Sequence, residues 1–186
     1  MKRLAIFWVF MALITASSSF AANSAGSNSF SQFVDGEGNI KVPTDYRSDW
    51  DYLGTWSIAS KKEGEGAAEF HGVYTQPGTI EEFRKTGKFP DGAVLVKELL
   101  QTKTASLTTG KVSWGTEIKG WFVMIKDTEG RFSGHRLWGD GWGWALFNAD
   151  DPTTTVTKDY KTECIPCHLP AKQDDWVYIY GYPPLR

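Results

Sequence analysis

Two thiols and an imidazole fall within five residues, Cys164-Ile165-Pro166-Cys167-His168. The spacing C-x-x-C-H suits one piece of chemistry. Two thiols separated by two residues reach the two vinyl groups on one edge of a porphyrin and form thioethers. The adjacent imidazole then lies beneath the iron as its axial ligand. The segment therefore reads as the attachment site of one covalent haem c, with Cys164 and Cys167 as anchors and His168 as the metal ligand. Two other readings remain open on the motif alone. A C-x-x-C redox pair or disulfide would have no use for His168. A structural zinc site needs four ligands, and the chain holds only two Cys and three His.

The rest of the chain bears on the iron's other face. No Met follows His168, and beyond the first twenty residues the only Met is Met124. A His/Met-ligated electron carrier is therefore disfavoured. An iron with one strong ligand and an open or weakly blocked sixth position binds and transforms small molecules as well as passing electrons.

The N-terminus fits that chemistry. Lys2 and Arg3 precede an apolar run, Leu4 to Thr15, that is short for a membrane span, and Ser19-Phe20-Ala21 is a small-x-small cleavage signature. A signal peptide over 1–21 and a periplasmic, soluble mature chain are expected. Losing Lys2 and Arg3 moves the formal charge from −2 to about −4. A mildly acidic chain without a basic cluster is a poor nucleic-acid binder.

Elements able to hold a porphyrin follow from composition. Nine Trp, eleven Phe and seven Tyr beside 19 Gly favour strands and turns over a helix bundle. Residues 22–41 read as a flexible N-terminal segment and 42–186 as one domain of about the usual size. Strands are expected at 53–59, 69–75, 93–102, 117–127, 142–148 and 176–182. A helix is expected over 80–86, capped by Thr79 and ended by Gly87, and another over 155–164. Tight turns without regular β-α-β alternation indicate an α+β, mainly β, single domain on an antiparallel sheet with a few short helices.

The strand at 93–102 carries a second chemical clue. Period-two alternation puts Leu95, Lys97 and Leu99 on one face and Val94, Val96, Glu98 and Leu100 on the other. A lysine between leucines is either an outward-snorkelling edge residue or a buried amine. Three stretches are similar to the cytochrome P-460 family. They are Phe83-Arg84-Lys85-Thr86-Gly87-Lys88-Phe89-Pro90-Asp91-Gly92 with Val94-Leu95-Val96-Lys97-Glu98-Leu99, then Glu163 through His168, and the ending Tyr182-Pro183-Pro184-Leu185-Arg186. The resemblance runs from about Val42 onward. It implies a mostly antiparallel sheet, a homodimer and a lysine–porphyrin bond from Lys97. It also implies oxidation of hydroxylamine to nitric or nitrous oxide, with a soluble redox partner such as another cytochrome. A related branch, cytochrome c'-beta, lacks the lysine bond and binds nitric oxide or carbon monoxide.

One departure matters. Hydroxylamine-oxidising relatives place a carboxylate about four residues before a Lys-Asp pair. Counting back from Lys126-Asp127 gives Phe122, which packs and excludes water but accepts no proton. A pocket position that is often Arg in relatives corresponds to His71. The alternatives for Phe122 and His71 are ordinary sheet packing and a surface strand residue. A non-catalytic nitric oxide-binding protein and a simple electron carrier thus stand beside the enzyme reading. Trp142 and Trp144 are candidate haem walls, and Glu117 and His135 are expected at the surface.

Overall fold

The computed structural model describes residues 30–186. Residues 1–21, expected to be a signal peptide, lie outside the described residues. Six strands form one antiparallel sheet in the order β1-β2-β3-β4-β6-β5. They are β1 (Asp51–Ala59), β2 (Ala67–Thr75), β3 (Val94–Leu107), β4 (Gly110–Lys126), β5 (Trp138–Gly139) and β6 (Trp142–Asn148). The helices are α1 (Tyr46–Asp49), α2 (Thr79–Thr86), α3 (Tyr160–Glu163) and α4 (Ile165–His168). The mainly β, α+β single domain expected from composition is what the chain forms.

Alternation along the strands gives the sheet two apolar faces, each with its own core. Val94, Val96, Val123, Ile125 and Phe147 point to the back, where Ile40 and Val42 cover them. Leu95, Met124, Trp142 and Trp144 point to the front, beneath α2 and the C-terminal segment. Register lines up the front row that matters most: Val73 opposite Lys97, Lys97 opposite Phe122, and Phe122 opposite Leu146.

The expected elements are corrected in several places. β3 and β4 run past their expected ends and meet in a long hairpin closed by Leu107 and Gly110. Its tip is polar, so alternation fades there. Thr79 is the first helical residue of α2 rather than its cap; Gly78, at φ 86°, holds the cap position. Gly87 ends α2 as expected, at φ 71° with its N–H bonded to Phe83 O. Only Tyr160–Glu163 of the expected 155–164 helix is α-helical. Of the segment expected to be flexible, residues 30–41 are described, and its end packs on the domain. Ile40 bridges Val34 and is 2 % exposed, because it and Val42 seal the back core. The last expected strand, 176–182, does not form. Asp175 and Trp176 take left-handed backbone at φ 59° and 67°, and 3₁₀ turns follow at Ile179–Gly181 and Pro183–Leu185.

Candidate haem site

The front of the sheet and the C-terminal segment enclose a cavity of about 370 Å³. Its floor is sheet: His71 and Val73 of β2, Leu95 and Lys97 of β3, Phe122 and Met124 of β4, and Trp144 of β6. Its other wall carries Cys164, Cys167 and His168. Trp56, Tyr178 and Tyr180 stand at the rim, Trp56 edge-on to Tyr180 with ring centroids 5.5 Å apart. Gly181 permits that approach, since a Cβ there would lie 2.1 Å from Trp56 Cζ2.

The short helices set the donor geometry. Asp159 caps α3, accepting from Lys161 N, and α4 follows at once. The Cys167 and His168 amides both bond Cys164 O, at 3.2 Å, which coils the motif so that its side chains share a side. Cys164 is buried and Cys167 exposed. Burial, then Glu163 nearby, pushes the Cys164 thiol up to about 11, so it stays protonated near neutral pH.

His168 is held for ligation. Its Nδ1 lies 2.7 Å from Trp176 O. A carbonyl only accepts, so Nδ1 carries the hydrogen and Nε2 keeps its lone pair, the arrangement that orients most metal-binding imidazoles. Burial holds the ring below its ordinary range and therefore neutral. Trp144 braces it edge-on with ring centroids 4.9 Å apart. Left-handed backbone at Trp176 is costly for a bulky residue, and it presents this carbonyl to the imidazole. The turn is pinned by Asp175, which accepts from Lys126 Nζ at 2.7 Å and from Phe89 N at 3.2 Å. Trp142 Nε1 bonds Asp175 O at 3.0 Å. Asp175 and Lys126 carried no local signal in the sequence, because their pairing joins residues 49 positions apart.

Lys97 is the unusual group. Its residue is half-buried only because the amine borders the open cavity, and protein atoms crowd it enough that burial lowers its pKa. The ammonium has no carboxylate partner among the described residues. Its Nζ lies over the Phe122 ring, 4.4 Å from the centroid. Glu98, the next residue, faces the back of the sheet and binds Tyr46 and Arg47 at 2.9 and 2.8 Å. Phe122 and His71 both line the cavity, as does Trp144, whereas Trp142 packs on Phe89 outside it. Glu117 is exposed. Met124, disfavoured as an iron ligand from its place in the sequence, nonetheless lies in the cavity wall.

These groups fit a porphyrin. The wall is apolar and aromatic, the imidazole offers a free nitrogen, two thiols lie on the same wall, and an amine faces them without a counter-ion. A slightly larger cavity, about 440 Å³, lies near Arg136, Asp140 and Tyr160. It has no thiol, and its imidazole, His135, accepts at Nδ1 from Leu137 N at 3.2 Å. Among the described residues, no three His, Cys, Asp or Glu converge as a metal cluster. Nor is any helix there long and apolar enough to cross a membrane.

Residues 43–179 match the family model described as Cytochrome P460. The chain belongs to the cytochrome P460 family. No curated protein matches it. Family membership makes haem the cofactor and extends through the cavity-forming strands and the C-x-x-C-H segment, stopping short of the last seven residues.

Proposed function

We propose that this cytochrome P460 family member is an exported monohaem c-type cytochrome that oxidises hydroxylamine or acts on nitric oxide. The observation that carries the reading is the convergence of Lys97, Cys164, Cys167 and His168 on one cavity. Cys164 and Cys167 would hold the porphyrin as thioethers, His168 Nε2 would ligate the iron, and Lys97 would bond the porphyrin edge. Haem iron, when bound, supplies a coordination site for a small nitrogen ligand and a sink for its electrons.

This chain's side chains do the remainder. Lys97 on the sheet and the two cysteines on the facing wall would hold the porphyrin at more than one point, which would keep a bound ligand in one orientation. Phe122 and Trp144 exclude water. On the sheet side of the cavity, His71 is a titratable residue able to accept a ligand proton; the carboxylate in the lining, Glu163, stands on the opposite wall beside Cys164. The electrons pass to a soluble acceptor, a second cytochrome being the natural class. A homodimer in the periplasm is the expected assembly and location.

Phe122 favours a second reading. With a ring where relatives carry a carboxylate, the site would bind nitric oxide without turnover. The test is purified holoprotein with hydroxylamine and several one-electron acceptors. Turnover supports the enzyme. Stable nitrosyl formation without hydroxylamine consumption supports the binding protein. Six-coordinate, low-spin spectra in both oxidation states, with Met124 as the available soft donor, would overturn both in favour of an electron carrier. Acid–acetone extraction reads the covalent attachment: haem should stay with the wild type and leave Cys164→Ser/Cys167→Ser.

A further inference from the structure

Behind His71 stands a carboxylate that the motif reading missed. His71 Nε2 lies 3.0 Å from Glu69 Oε2. Lys119 Nζ bonds the other oxygen, Glu69 Oε1. Glu69 and His71 are two apart on β2 and so share its front face. Lys119 reaches them from β4. His71 lines the cavity; Glu69 does not, and stands behind the imidazole.

Proton positions follow from donor chemistry. Lys119 and then His71 hold the Glu69 carboxyl below its usual range, so it is an anion that can only accept. Nε2 therefore carries the hydrogen, and a neutral ring keeps its lone pair on Nδ1. Among the described residues, Nδ1 has no hydrogen-bond partner. The charged groups around the ring are Glu69 on its own strand, Lys97 on β3 and Lys119 on β4. Burial, assisted by the two lysines, outweighs Glu69 and keeps the imidazole below its ordinary range.

We propose that Glu69, locked by Lys119, is a positioning residue that fixes His71 as its Nε2–H tautomer and so makes Nδ1 the proton acceptor of the cavity. This rests on the hydroxylamine reading above. Phe122 of β4 has no atom that accepts a proton, and the pair on β2 supplies the basicity on this side of the cavity. In the step, an N–H or O–H bond of the ligand breaks and its proton moves to Nδ1. The bonding pair stays on the ligand, and the electrons of oxidation would pass to a soluble one-electron acceptor protein, the bound haem supplying the electron sink. The imidazolium is stabilised by Glu69, then returns its proton to water. The site thereby favours ligands bearing N–H or O–H. Toward nitric oxide or carbon monoxide the neutral His71 ring offers a lone pair at Nδ1 and no donor there.

The haem-loaded full chain tests this with ferrous-bound carbon monoxide as the probe. Nitrogen-15 NMR of that diamagnetic form should find His71 as the Nε2–H tautomer at pH 7. The infrared C–O stretch should step as pH falls below about 6.5, when Nδ1 gains a proton and becomes a donor. Glu69→Gln should mix the tautomers and lower the midpoint by about one pH unit, and Lys119→Gln should raise it. His71→Gln should abolish the step. Hydroxylamine turnover in Glu69→Gln should fall about tenfold. Opposite shifts in the two flanking variants are not what a packing role produces. An unchanged tautomer and midpoint in Glu69→Gln, or a step that survives His71→Gln, overturns the proposal. A wild type with the tautomer and the step but no hydroxylamine turnover supports the positioning role and overturns the enzyme reading alone.

Discussion

A buried amine without an anion beside it weakens a fold unless something else uses it. Lys97 has that character, and its place opposite Cys164 and Cys167 suits a bond to the porphyrin. A lysine–porphyrin bond interrupts conjugation at one edge of the ring, so the ferrous protein should absorb far to the red of an ordinary c-type Soret band. Lys97→Ala should keep its haem through the thioethers and return to an ordinary spectrum; an unchanged spectrum means no such bond exists. His71 makes the second prediction at this scale. Burial depresses its pKa. As pH falls through that value the ring gains a proton and stops accepting one, so activity should show an acid limb with a midpoint below about 6.5 and a plateau above it. A plot of kcat/KM against pH checks this, and a midpoint above that value refutes it.

Single elements hold the His168 imidazole still. The turn at Asp175 and Trp176 orients His168 through one carbonyl, and the buried Lys126–Asp175 pair pins the turn to β4. Asp175→Ala leaves Lys126 buried and unpaired, a loss of about 3 kcal/mol in denaturant unfolding. Its haem should also show a heterogeneous axial environment by electron paramagnetic resonance, whereas a purely stabilising pair would leave the spectrum sharp. The rim makes a separate case. Gly181→Ala forces a methyl into Trp56 and should cost about 1–3 kcal/mol. The same denaturant titration reads it, and an unperturbed midpoint would mean that Trp56 swings aside freely.

At the scale of the molecule, the sheet separates two tasks. Its back face buries a core of aliphatic and aromatic side chains, closed by α1 and the buried Glu98 with its Tyr46 and Arg47 partners. Its front face is incomplete, because part of its apolar surface borders a cavity rather than side chains. Haem should complete that face. Chains purified without haem, from a Cys164→Ser/Cys167→Ser background, should melt about 5–10 °C below the haem-loaded wild type. Equal melting temperatures would mean the front layer closes on itself.

Much of this was legible in the chain. The C-x-x-C-H segment is local chemistry and needs no fold to be recognised. Alternation with a period of two placed Lys97 and Glu98 on opposite faces, since that spacing is a property of any strand. The aromatic and glycine content indicated a sheet, and Gly87 marked the end of α2. The tertiary structure alone decided which distant residues meet. The Glu69–His71–Lys119 line needs the register of three strands, and the Lys126–Asp175 pair needs the C-terminal segment folded over β4. The 176–182 stretch looked like a strand because its aromatics suit one. Packing against Trp56 and the bond from His168 to Trp176 O turned it into 3₁₀ turns instead. Local pattern reports which face a side chain takes. Long-range closure determines what it finds there.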